Sequence, residues 1–124
     1  MTTTATAIVP VVGVTFVAAY PANLHRLAEV HDDINRGEPL SVVLLRNPAN
    51  PHDANAIEVH VPALGDLAMI GHVPRDVAVR LAPKLDAGAT YETWVADVRI
   101  NPKHMDRPGI DIGVKRVESL ERLR

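Results

Sequence analysis

Asn47-Pro48-Ala49-Asn50-Pro51-His52-Asp53-Ala54-Asn55-Ala56-Ile57-Glu58-Val59 is the stretch on which the reading of this chain turns. Its first half excludes helix and central strand. Pro48 and Pro51 lack backbone donors and hold the residues before them extended, while Asn50, Asp53 and Asn55 supply side-chain turns. Its second half changes period. Ile57, Val59 and Val61 alternate with Glu58 and His60, the pattern of a strand with one buried face.

Upstream, residues 40–45 are mostly aliphatic and predict a strand leading into this loop. Before them Leu24, Leu27, Ala28, His31 and Ile34 recur at helical spacing. They predict a helix over 24–35, with Asn23 as N-cap and Gly37 past its end. Residues 8–17 are dense in β-branched side chains and predict a first strand buried on both faces. The apolar run over 5–19 does not have the form of a leader: no Lys or Arg precedes it, Pro10 and Gly13 interrupt it, and it is too short to span a bilayer.

Downstream, residues 67–73 predict a fourth strand, with Gly71 marking a bulge or a close backbone approach. A second helix is expected over 74–87, with Pro74 at its first position and an apolar face of Val77, Leu81 and Leu85. Asp76 and Arg80 form a four-residue pair on its other side, Pro83 kinks or shortens it, and Gly88 ends it. Two alternating strands close the chain. In the first, Trp94, Ala96, Val98 and Ile100 share one face, with Trp94 expected to be buried. In the second, Ile110, Ile112 and Val114 share a face. Residues 101–109 between them, with Lys103, His104 and Arg107, are expected to project as a basic hairpin loop. The order strand, helix, three strands, helix, two strands predicts a mainly β (α+β) fold. Its form is a six-stranded antiparallel OB-like barrel with two short helices.

A length of 124 residues allows one domain, here 7–117, between a frayed segment 1–6 and a charged tail 118–124. The absence of cysteine excludes disulfides, thiolate zinc sites and cysteine nucleophiles, and fits a reducing cytoplasm, the compartment expected here. The formal net charge is −2, so a nucleic-acid function must depend on a local site and not on a global basic field. Ser41 and Ser119 are the only serines, neither in a nucleophile-elbow context, and no Walker A loop is present. No catalytic set and no cofactor are expected.

The 47–59 stretch closely resembles the signature of the HIRAN family, an N-P-aromatic-D-x-N-A-I/V core ahead of a strand of alternating aliphatics. Val11-Val12-Gly13-Val14-Thr15-Phe16 is similar to the family's opening strand. Ile70-Gly71-His72-Val73-Pro74-Arg75 is similar to its step into a helix. The three pieces stand in order and cover nearly the whole chain. The resemblance implies an OB-like barrel that binds single-stranded DNA at a free 3′-hydroxyl end and serves repair or replication. The implied protein partner is a helicase, a nuclease or another protein of that machinery, with no membrane involved.

Carried over position by position, Asp53 matches the carboxylate that accepts the terminal hydroxyl, with Asn50 and Asn55 beside it. His52 stands where an aromatic stacks on the last base, and Phe16 matches the aromatic that sandwiches it. His72 and Arg75 match the polar and basic pair that approaches the phosphates. Thr15 and Val17 depart from the arginine and second aromatic of DNA-binding members, which bears on affinity more than on fold.

Other readings of the same residues stay open. Asn50, Asp53 and Asn55 can hold a tight loop together, and Phe16 can be core. His52, His72 and Asp53 carry metal-ligand chemistry but form no clear ligand set at a recognised spacing, so a metal-dependent hydrolase is the minor alternative. The larger alternative is a protein-interaction or regulatory domain that keeps the fold and has lost the DNA site.

Overall fold

The computed structural model describes residues 6–13, 23, 40–64 and 68–117. The helix expected over 24–35 and the later part of the first strand lie outside them. In chain order the elements are β1 (Thr6–Pro10), β2 (Val43–Arg46), β3 (Ile57–Val61), a 3₁₀ turn (Pro62–Leu64) and β4 (Ala68–His72). The helix α1 (Arg75–Asp86) follows, then β5 (Thr90–Asn101) and β6 (His104–Val117). No helix among the described residues is long and apolar enough to cross a membrane.

The strands form two three-stranded antiparallel sheets, β1-β6-β5 and β2-β3-β4. Among the described residues they meet at two seams, each a single bridge: Val12 with His72, and Ser41 with Trp94. At the first, Val12 N–H donates to His72 O at 2.8 Å and His72 N–H to Val12 O at 2.9 Å. At the second, Val42 N–H donates to Thr93 O and Val95 N–H to Leu40 O, at 3.0 and 2.9 Å. The expected six-stranded barrel is therefore, in the described residues, a pair of sheets joined by bridges and not by continuous ladders.

The alternation in β3 gives the core its centre. Ile57, Val59 and Val61 are fully buried, with Glu58 and His60 half-buried on the other face. Ile70, Val95, Ile110, Ile112 and Val114 pack with them from the neighbouring strands. In β4 the register against β3 shifts where Gly71 pairs with Val59 and Met69 with His60, so Ile70 is the extra residue of a bulge. Gly71 has φ 152°, a conformation glycine adopts freely, in keeping with the bulge expected there.

Helix α1 begins after Pro74, which serves as N-cap and accepts from the N–H groups of Val77 and Ala78 at 3.0 and 2.8 Å. It ends in a Schellman arrangement: Ala89 N–H donates to Lys84 O and Gly88 N–H to Leu85 O, with Gly88 at φ 95°. Pro83 removes the N–H that would reach Val79, and the helix runs only to Asp86 beyond it. Its most deeply buried residues are Ala78, Leu81 and Ala82, with Val77 and Leu85 partly buried beside them. Arg80 bonds the backbone carbonyl of Asp76 at 3.3 Å and makes no ion pair with its carboxylate.

Two expectations for the last strands are corrected. Trp94 is half-buried, and Val95 is the residue of β5 that enters the core, at 2% exposure. The cause is a bulge: Val95 pairs with Ile112 and Asp97 with Asp111, leaving Ala96 unpartnered and reversing the alternation. Trp94 and Val98 therefore belong to opposite faces. The indole lies on Gly113, its cross-strand partner, where an added Cβ would stand 2.2 Å from Trp94 Cε2. Pairing also continues to Asn101 and His104, so the connection is the two-residue turn Pro102-Lys103 and not a loop over 101–109.

Candidate nucleic-acid interface

The polar loop between β2 and β3 is closed by Asn47 N–H donating to Ala56 O at 2.9 Å. Within it two turns follow one another. Asn50 N–H reaches Asn47 O at 3.2 Å around Pro48, and Ala56 N–H reaches Asp53 O at 3.1 Å. Side chains fix the rest. Asn50 Oδ1 accepts from the N–H groups of His52 and Asp53 at 2.8 and 3.2 Å, and Asp53 Oδ1 accepts from Asn55 N–H at 2.9 Å. Asn50 and Asp53 thus do hold the loop, as short polar side chains beside prolines are able to do.

Helix α1 grips this loop from both of its ends. At its start, Arg75 Nε stands 3.6 Å from Asp53 Oδ2, and Arg75 Nη2 donates to the carbonyl of His52. The bond from Val73 N–H to Ile57 O, 3.0 Å, brings that end of the helix alongside the loop. At its finish, Asp86 accepts from Arg46, whose Nη1 and Nη2 also donate to the carbonyls of Ala56 and Ala54 at 2.8 and 3.0 Å. Below the loop, Glu58 accepts from Asn47 Nδ2 at 3.0 Å and bonds His60 Nε2 at 3.0 Å.

The structure brings Asn50, His52, Asp53, Asn55 and Arg75 together. His52 is exposed, Asp53 keeps 21% of its side chain accessible, and the Arg75 side chain is 73% exposed. His72 sits half-buried at the end of β4 opposite Glu58. Thr15 and Phe16 lie outside the described residues. Among the described residues no group of three or more His, Asp or Glu side chains is arranged to hold a metal. The arrangement offers a partly accessible carboxylate, an acceptor only, next to an exposed guanidinium, on a loop held by its own hydrogen bonds. Sequence reading missed Arg46, Glu58 and Asp86.

The HIRAN domain family model matches residues 6–112. The chain is a member of the HIRAN domain family. HIRAN domains bind DNA. The fold agrees with that of the HIRAN domain of human HLTF, at TM-score 0.63 and 20% identity, covering 94% of this chain and 78% of that one. A protein from Lactobacillus plantarum shares the fold at TM-score 0.59 and 20% identity, over 93% of this chain and all of that one. A 56-residue segment, 45% of this HIRAN chain, is 41% identical to a Fanconi-associated nuclease 1 homolog of Oryza sativa subsp. japonica. That segment spans 6% of the length of the nuclease homolog.

Proposed function

We propose that this HIRAN domain binds single-stranded DNA at a free 3′-hydroxyl end and carries out no chemistry on it. The observation that carries the reading is Asp53, a carboxylate held by Asn55 N–H and left partly accessible beside the exposed Arg75. A carboxylate accepts from a hydroxyl and repels a phosphate, while the guanidinium is suited to the backbone phosphate that precedes the terminal sugar. In this reading exposed His52 stacks on the last base, Asn50 and Asn55 hold the loop around it, and His72 approaches the strand with Arg75. By the family resemblance, Phe16 and Thr15 belong to the same site.

Its biological setting is recruitment of a repair or replication activity to DNA ends, a reading supported by the nuclease homolog that shares part of this sequence. The test is a titration with oligonucleotides that differ only in a 3′-hydroxyl or a 3′-phosphate. A hydrogen bond to a charged group contributes about 1.5–3 kcal/mol, so the hydroxyl end should bind about ten- to a hundredfold more tightly. Equal affinity for both ends, or for internal strand, overturns the proposal.

A further inference from the structure

Arg46, Arg75 and Arg99 each face a carboxylate, on Asp86, on Asp53, and on Asp97 with Asp111. Arg80, Lys84 and Arg116 face none among the described residues. These three cations rim a single cleft of about 290 Å³ between α1 and the β1-β6-β5 sheet. Its floor is apolar, made by Val9, Val73, Val77, Leu81 and Val114, with Tyr91 beside Arg116 at one side. The cleft lies on the flank of α1 opposite the polar loop. By helical spacing, Arg75 and Asp86 share the flank that grips the loop, and Val77, Arg80, Leu81 and Lys84 share the other.

Cations that face no carboxylate among the described residues, on a chain of net charge −2, select an anion, and the apolar floor selects what the anion must carry. A nucleic acid would meet the rim with its phosphates, but its bases seek flat aromatic faces to stack on, and the floor is aliphatic, with Tyr91 the one aromatic in the lining. Ligand cavities start at about 300 Å³, so this one has room for one or two large side chains and not for a bulky cofactor. We propose that the cleft docks an acidic peptide segment of a partner protein, which inserts a bulky apolar side chain between α1 and β6 while its carboxylates meet Arg80, Lys84 and Arg116. The site is separate from the DNA-end reading and does not rest on it.

The experiment uses the full chain and a neutral-dye-labelled probe peptide of four aspartates flanking a leucine-phenylalanine pair, read by anisotropy at low salt. Binding should be saturable and should fall by about tenfold or more in R80E/K84E, whose exposed side chains leave the core untouched. The same variant should keep its affinity for a 3′-hydroxyl oligonucleotide. A probe with the leucine-phenylalanine pair replaced by serines should bind about tenfold more weakly. No saturable binding, equal binding of the serine probe, or equal binding by R80E/K84E each overturns the proposal. So does a loss of oligonucleotide binding in R80E/K84E matching that of the peptide, which would assign the cations to nucleic acid. A concentration-dependent dimer abolished by R80E/K84E would give the cleft to a second copy of the chain.

Discussion

Arg46 Nε and Nη2 donate to the two carboxylate oxygens of Asp86 at 3.0 and 3.3 Å, joining the end of β2 to the last turn of α1 across forty positions of sequence. The same guanidinium donates to Ala54 and Ala56, so one planar group binds helix and loop at once.

Arg46→Leu should therefore cost about 1.5–3 kcal/mol, the range for losing hydrogen bonds to a charged group. Arg46→Lys should recover only part of this, since an ammonium has no fork. Asp86→Asn should cost under about 1 kcal/mol, because Asp86 is mostly exposed. Urea denaturation of the three variants checks the order. A near-neutral Arg46→Leu would mean that the loop holds itself.

Trp94 and Gly113 form a second dependent pair. Gly113→Ala drives a methyl into the indole and should cost about 1–3 kcal/mol. Trp94→Ala removes a half-buried ring and should cost less than the 3–5 kcal/mol usual for a core aromatic, about 1.5–3 kcal/mol. In the Trp94→Ala background the Gly113→Ala penalty should largely vanish. A double-mutant cycle by denaturation measures that coupling, and additive costs would show that the contact carries no energy.

The pair also shows where sequence reading stopped. Ile57, Val59 and Val61 were legible because nothing interrupts their alternation, and Gly71 marked its own bulge. The bulge at Ala96 has no glycine or proline to announce it, so an unbroken apolar alternation from Trp94 to Ile100 pointed to the wrong face. In the site, Asn50, Asp53 and Asn55 were visible because their turns are made with near neighbours. Arg46 and Asp86 were not, since their contact exists only once helix and sheet have packed. Glu58 looked like the solvated face of a strand, with nothing local to indicate that it holds Asn47 and His60.

Arg99 separates two like charges. Asp97 and Asp111 are direct cross-strand partners, and Arg99 donates to Asp97 at 3.1 Å and to Asp111 at 2.7 and 3.2 Å. Its pKa is raised, first by the hydrogen bond with Asp111. The sign follows: the stabilisation is present below the unfolded-state value, is lost only as pH rises through the folded one, and so is complete at neutral pH. Arg99→Gln leaves the carboxylates opposed and should cost about 0.5–1 kcal/mol, the small figure reflecting exposure. Added salt should restore part of that stability, as should Asp97→Asn in the same background. Thermal unfolding at low and high salt checks both.

Asp53 has two roles, one for each carboxylate oxygen, and substitution can separate them. Its Oδ1 closes a turn with Asn55 N–H, and its Oδ2 faces Arg75 Nε at 3.6 Å. Asp53→Ala removes both and should cost about 1 kcal/mol of stability as well as any end discrimination, so its binding defect alone decides nothing. Asp53→Asn can keep an oxygen toward Asn55 N–H while losing the charge. Its stability should stay within about 0.5 kcal/mol of the parent. An amide still accepts from a hydroxyl but no longer repels a phosphate, so the preference for a 3′-hydroxyl over a 3′-phosphate end should shrink to a few-fold. Most of the change should come from tighter binding of the phosphate end, helped by an Arg75 released from its partner. Parallel titrations of both ends, with melting curves as the control, distinguish the roles. An Asp53→Asn domain that is stable yet discriminates as before would confine Asp53 to holding the loop.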